Sequence, residues 1–193
     1  MPTHPRFIAD SMLGHVARWL RLLGYDTLYF RDIEDWKLLR IAKEEGRILI
    51  TRDVSLYRRA RKESLEAILV EDPEIDMILA ELSRRFGVEL EFHKDDTRCP
   101  ECNTRLIYTT SITDVAHKVN KNIALRYKEF WICPKCGKVY WQGKHWKTIN
   151  QILESARIKK AKLVSKTTIK ERRIYVGEGT TSNNALSTEK SSL

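Results

Sequence analysis

Four cysteines, and the way they are spaced, constrain this chain more than any other feature. They fall in two C-x-x-C pairs, Cys99-Pro-Glu-Cys102 and Cys133-Pro-Lys-Cys136, separated by residues 103–132. Two residues between thiolates let one tight turn present both sulfurs to a single ion, and two such turns complete a tetrahedral site. Gly137, directly after the second pair, suits the left-handed backbone that such a turn often needs. The chain carries 4 cysteines and no odd one. Met1 to Arg6 is not followed by the apolar core and cleavage site of a signal peptide, and no apolar run approaches the ~20 residues that span a bilayer. A cytoplasmic location, away from any membrane, is therefore expected, and paired thiols in a reducing compartment favour metal over disulfides. The spacing predicts zinc, ahead of an iron–sulfur centre or redox-active thiols. With all four positions filled by thiolate, that zinc is structural, and its binding free energy goes into folding. A β-hairpin insert is expected in the long gap.

The stretch before the cysteines has a different pattern. Phe7-Ile8-Ala9, Thr27 to Phe30, Ile48 to Thr51 and Ala67 to Val70 read as short apolar strands. Between them lie helical periodicities: Leu13, Val16, Ala17, Leu20 and Leu23, stopped by Gly24; Trp36 to Glu45, closed by Gly46; and Val54 to Lys62. Ile75, Ile78, Leu79, Leu82 and Phe86 line one face of a further helix. Strands alternating with helices imply right-handed βαβ crossovers and a parallel sheet, hence an α/β three-layer domain over about residues 7 to 87.

Three aspartates stand where helices begin. Asp10 and Asp53 directly follow strands, and Asp35 opens the Trp36 helix. Each alone reads as an N-cap. Together they read differently, because all strand C-termini of a parallel sheet lie on one edge, and ligands bind there where strand order reverses. If the first strand is central, Asp10 and Asp53 are neighbours and Asp35 can reach the same crevice. Carboxylates gathered there repel one another unless a hard cation neutralises them, and oxygen-only ligands select Mg2+ or Mn2+. Asp32 can substitute for or assist Asp35. Asp72, directly before Pro73, reads as a cap with the proline at the first helical position.

The runs Phe7-Ile8-Ala9-Asp10-Ser11-Met12-Leu13-Gly14, Arg18-Trp19-Leu20-Arg21-Leu22-Leu23-Gly24-Tyr25-Asp26-Thr27 and Gly46 to Asp53 resemble the Mut-seven C-terminal RNase family. So do Cys99-Pro-Glu-Cys102-Asn103 and Cys133-Pro-Lys-Cys136-Gly137-Lys138-Val139-Tyr140-Trp141, followed by Gly143 to Trp146. The resemblance covers about residues 6 to 150. It implies a PIN-like domain followed by a zinc ribbon, and a metal-dependent ribonuclease whose products carry 5′-phosphate and 3′-hydroxyl ends. Asp10, Asp35 and Asp53 then correspond to the acids that hold a catalytic Mg2+ or Mn2+. Larger PIN domains carry a further acid on the helix after the first strand. Here no carboxylate lies between Asp10 and Asp26, so a sparse site is expected.

The organisation that follows is a PIN-like nuclease domain over 1–90, a zinc ribbon over 91–150, a basic helix or tail over 151–176, and disorder over 177–193. The 35 Lys and Arg against 26 Asp and Glu, a net charge of +9, predict attraction to polyanions, of which nucleic acid is the commonest. Arg18, Arg21, Arg52, Lys144 and His145 are candidate RNA contacts, weighed against the solvated face of an amphipathic helix. Trp131, Tyr140, Trp141 and Trp146 surround the ribbon and suit either base stacking or packing against the neighbouring domain. Two further readings stand beside the ribonuclease: a non-catalytic RNA- or ribosome-binding module, and a zinc-ribbon adaptor that binds protein.

Overall fold

The computed structural model describes residues 4–177. Four parallel strands, β1 (Phe7–Ala9), β2 (Thr27–Tyr29), β3 (Ile48–Thr51) and β4 (Ala67–Leu69), form one sheet in the order β2-β1-β3-β4. These strands are short and almost wholly buried, which is why they read as apolar runs rather than alternations: both faces of the sheet are covered.

Alternate residues sort to the two faces. Phe7, Ala9, Ile48 and Ile50 join α1 (Gly14–Leu22) and α4 (Ile75–Phe86) in one core. Ile8, Leu49 and Ala67 join α2 (Asp35–Glu45) and α3 (Val54–Lys62) in the other. The crossover from β1 to β2 runs leftward over the first face, and those from β2 to β3 and β3 to β4 run rightward over the second. A right-handed crossover requires that change of face when direction reverses. The central strand β1 and its neighbour β3 therefore send their chains to opposite sides, and a crevice opens between them at the carboxyl edge.

A second sheet follows: β5 (Ile107–Thr109), β6 (Phe130–Ile132) and β7 (Val139–Tyr140), antiparallel in that order. The gap between the cysteine pairs is not a simple hairpin. It holds β5, two short helices, α5 (Ile112–Val115) and α6 (Lys121–Arg126), and then β6.

The described residues end in one long helix, α7 (Trp146–Gly177), which begins within the stretch read as ribbon. Its apolar residues Leu153 and Ala156 are buried in the first core, with Ile149 and Ile152 packed alongside. Polar ties hold it there: the Asp76 carboxylate of α4 accepts from Ser155 Oγ at 2.6 Å and Lys159 Nζ at 2.6 Å. Arg157 donates to the Leu90 carbonyl at 3.1 and 2.8 Å. Of the stretch expected to be disordered, 177–193, Gly177 closes this helix and the remainder lies outside the described residues.

Where α1 ends, Gly24 takes φ +90° and leaves no space for a side chain, since a Cβ there would lie 2.4 Å from the Asp96 carbonyl. The segment that links the two sheets thus runs directly over this glycine. Asp72 differs from its sequence reading: α4 starts at Ile75 with Glu74 in the cap position, and Asp72 accepts from the Glu74 N–H at 2.8 Å, a turn before the helix rather than a cap.

Candidate functional site

At the carboxyl edge, β1 runs straight into Asp10 and β3 into Asp53. One residue joins them. Thr51, the fully buried last residue of β3, donates its hydroxyl to Asp10 Oδ2 at 2.9 Å and accepts from the Asp53 N–H at 3.0 Å. The Asp10 N–H donates to the Ile50 carbonyl at 2.9 Å, which continues the ladder and fixes where the side chain leaves the strand. Each acid also caps the turn that follows it. Asp10 Oδ1 accepts from the Ser11 N–H at 2.6 Å. Asp53 Oδ1 accepts from the N–H groups of Ser55 at 2.6 Å and Leu56 at 3.0 Å. One oxygen of Asp53 is thus spent on the helix, and the other has no hydrogen bond among the described residues. The pairing through Thr51 has a sequence signal in the spacing Thr51-Arg52-Asp53, although the bridging role of the threonine itself is seen only in three dimensions.

Asp35 is placed differently. It is the first residue of α2, behind Glu34 in the cap position, so it is not itself the cap. Its carboxylate is exposed and pairs with Arg59 of α3 at 3.1 Å. Among the described residues, the three aspartates do not form a cluster of ligand atoms within a few ångströms; the four cysteines do. Arg52 is exposed beside Asp53. On the other flank, burial and then the charge of Arg52 hold His15 below the usual histidine range. Four large apolar side chains surround this edge without cover: Met12, Phe30, Trp36 and Val54, with Met12 66% and Trp36 50% exposed. Trp36 also carries Lys37 and Arg40 over its ring at 5.2 and 5.3 Å.

The cysteines converge as expected. One sulfur atom from each of Cys99, Cys102, Cys133 and Cys136 lies within 4.8 Å of all the others. The two pairs interlock: Cys99 Sγ is 3.7 Å from Cys136 Sγ, and Cys102 Sγ is 3.4 Å from Cys133 Sγ, distances far too long for disulfides. Both turns have one hydrogen-bond pattern. The Cys99 N–H reaches the Thr104 carbonyl at 2.8 Å and the Asn103 N–H reaches the Cys99 carbonyl at 2.9 Å; Cys133 with Lys138, and Gly137 with Cys133, repeat it at 2.8 and 2.9 Å. The fifth residue of each turn is left-handed, Asn103 at φ 65° and Gly137 at φ 73°. Tyr140 Oη lies 3.2 Å from Cys99 Sγ and can donate to a thiolate there. A soft, four-thiolate, tetrahedral-capable set fits a metal such as zinc.

The first turn is welded to the opposite, amino edge of the parallel sheet. Arg21 does this, and its sequence reading as an RNA contact does not match its place. Only 4% of it is exposed. Its guanidinium donates to the carbonyls of Thr27 at 2.9 Å, Pro100 at 2.7 Å and Glu101 at 3.2 Å. Asn103 adds two bonds, accepting from the Thr27 N–H at 3.1 Å and donating to Asp26 Oδ1 at 2.7 Å. Asp26 in turn pairs with buried Arg47 at 2.9 Å. Asn103 was legible as an outlier: aligning the two C-P-x-C turns sets it against Gly137. Arg18 is exposed and pairs with Glu101 at 3.4 Å. Lys144 and His145 are exposed on the loop before α7. Trp131 is buried and donates to the Lys94 carbonyl at 2.8 Å, while Trp146 packs edge-on against Phe92.

The family model described as the Mut7-C RNAse domain matches residues 5–153. No curated protein and no solved structure matches the chain. No helix among the described residues is long and apolar enough to cross a membrane.

Proposed function

This chain belongs to the Mut7-C RNase domain family, and from that premise we propose that it is a metal-dependent ribonuclease that hydrolyses RNA phosphodiester bonds at the carboxyl edge of its parallel sheet. The observation that carries the reading is the Asp10–Thr51–Asp53 link across the crevice where strand order reverses. A hydroxyl that donates to the Asp10 carboxylate and accepts from the Asp53 N–H ties together the two segments that carry these acids. In this reading Asp10 and Asp53 hold Mg2+ or Mn2+, and Asp35 joins them when it leaves Arg59. The donor set fits a hard cation: it is oxygen only, and Asp53 keeps a carboxylate oxygen unengaged. Such an ion supplies water activation and stabilisation of charge on a phosphoryl transition state. Arg52 then stands where it can hold a phosphate oxygen. We read residues 1–90 as a PIN-like domain and 91–150 as its ribbon, with a structural zinc on the four cysteines.

The test is cleavage of labelled single-stranded and structured RNA in Mn2+, beside an Asp10→Asn, Asp53→Asn double variant. Loss of cleavage in the variant with RNA binding retained is expected. Equal cleavage by both proteins removes the assignment. The Asp35–Arg59 pair favours a second reading, an RNA- or ribosome-binding module without an efficient site, because it withholds the third acid. Tight binding with no cleavage by the unaltered chain would select it.

A further inference from the structure

The ribbon does more than sit beside the first domain. Between it, α1 and the start of α7 lies a cleft of about 310 Å3. Its lining includes the indoles of Trp19, Trp141 and Trp146 together with Arg18, Arg98 and His145; Arg98 is spent on the carbonyls of Gly24 and Asn103, and exposed Arg18 pairs with Glu101. No acidic side chain lines it. Trp19, Trp141 and Trp146 are each half-buried: they line the cleft, and Trp19 also packs against the first core and Trp146 against Phe92. Indoles beside the exposed Arg18 guanidinium match the two parts of a nucleotide, the π-system of the base and the charge of its phosphate, and base–aromatic stacking is tolerant of sequence. The volume lies within the range of small-ligand sites.

The position of the cleft gives it a role. α1 begins at Gly14, one short turn after Asp10, and runs back along the sheet at ~1.5 Å per residue, so Arg18 and Trp19 lie roughly 6 to 8 Å along the helix from its start. We propose that this cleft receives an unpaired nucleobase of the RNA, a short run of strand away from the phosphate at the Asp10–Asp53 crevice. The inference rests on the reading of the chain as one that acts on RNA. It assigns a substrate class, strands with a base free to leave the stack, and it makes the ribbon part of the binding surface rather than a passive clip.

The experiment uses the full zinc-loaded chain with Asp10→Asn and Asp53→Asn, so that binding is read without cleavage. A short oligoadenylate is expected to quench tryptophan fluorescence on binding. A strand of equal length with abasic sugars, and the oligoadenylate paired to its complement, are expected to bind without that quench. Trp141→Leu should weaken oligoadenylate binding about five- to tenfold and leave the abasic strand unaffected. Zinc content confirms that this variant is folded; should it lose zinc, Arg18→Ala on an exposed position replaces it, with a smaller loss expected. Equal affinity and equal quenching for base-bearing and abasic strands would overturn the proposal. So would quenching that appears only as the protein concentration rises, without RNA, which would mark a protein occupant. Cleavage is read through Asp10 and Asp53 and the cleft through its indoles in a silent chain, so either reading can fail alone.

Discussion

The two edges of the parallel sheet are built on opposite plans. At the amino edge the buried polar groups are satisfied: Arg47 binds Asp26, Glu45 and the Phe7 carbonyl, Asn103 binds Asp26, and Arg21 is used up on three carbonyls. At the carboxyl edge Thr51 ties the Asp10 carboxylate to the Asp53 N–H, Asp53 has a carboxylate oxygen with no hydrogen bond among the described residues, and four apolar side chains are at least a third exposed. Satisfied networks rigidify a structure, whereas unsatisfied charge costs stability and is kept where chemistry uses it. The same sheet thus carries its joint at one end and its candidate chemistry at the other.

That contrast can be broken. The largest effect is expected from removing the metal. A strong chelator should release one zinc equivalent and unfold the ribbon, lowering Tm sharply; less than half an equivalent of zinc by elemental analysis, with a visible chromophore instead, would point to an iron–sulfur centre. Next comes Arg47→Met, which leaves the largely buried Asp26 without its counter-ion. A loss of about 3 kcal/mol in urea unfolding is expected, and a change below about 1 kcal/mol would show that the amino edge is not the joint. By contrast, Asp10→Asn should cost under about 1 kcal/mol, since asparagine still caps the turn that follows. If Asp10→Asn is the more damaging of the two, the comparison is inverted.

The smallest effect is read with pH. Burial acts to raise the Asp26 pKa, but the hydrogen bonds from Arg47 and Asn103 and the charge of Arg47 outweigh it and hold the carboxyl below its ordinary value of 3.8. Asp76 is likewise lowered: burial opposes the shift, and Lys159 and Ser155 overcome it. A depressed folded-state value means stability that is fully present above the unfolded pKa and lost as pH falls through the folded one. Unfolding followed from pH 6 downward should therefore stay flat to about pH 4 and then decline, and Asp26→Asn should shrink the decline. An unchanged slope in that variant would remove Asp26 from the joint.

Much of the first sheet was legible. Ile48 to Thr51 and Val54 to Lys62 fall where periodicity and the apolar runs put them, because buried parallel strands and amphipathic helices leave strong local signals. The four cysteines announced their own convergence. What could not be read is non-local. Arg21 resembles any solvated arginine on a helix, and its partners Pro100 and Glu101 lie far along the chain. The pair between Asp35 and Arg59 joins the starts and middles of different helices and leaves no periodic trace. The insert's short helices α5 and α6 have too few turns to give a period, and the packing of α7 on α4 appears only as a second buried side, Ala80 and Ser83, on a helix whose first side already accounted for its pattern.

That last contact has a consequence for synthesis. α4 is complete once residue 86 has been made, yet the residues that cover it, Leu153 and Ala156, come after both cysteine turns. During translation the sheet and its first four helices must wait with an apolar flank open until the ribbon has emerged and α7 follows it. Metal capture in the ribbon would shorten the path that α7 must search to find that flank. A metal held by the four cysteines would thereby time the closure of the core that α4 and α7 share.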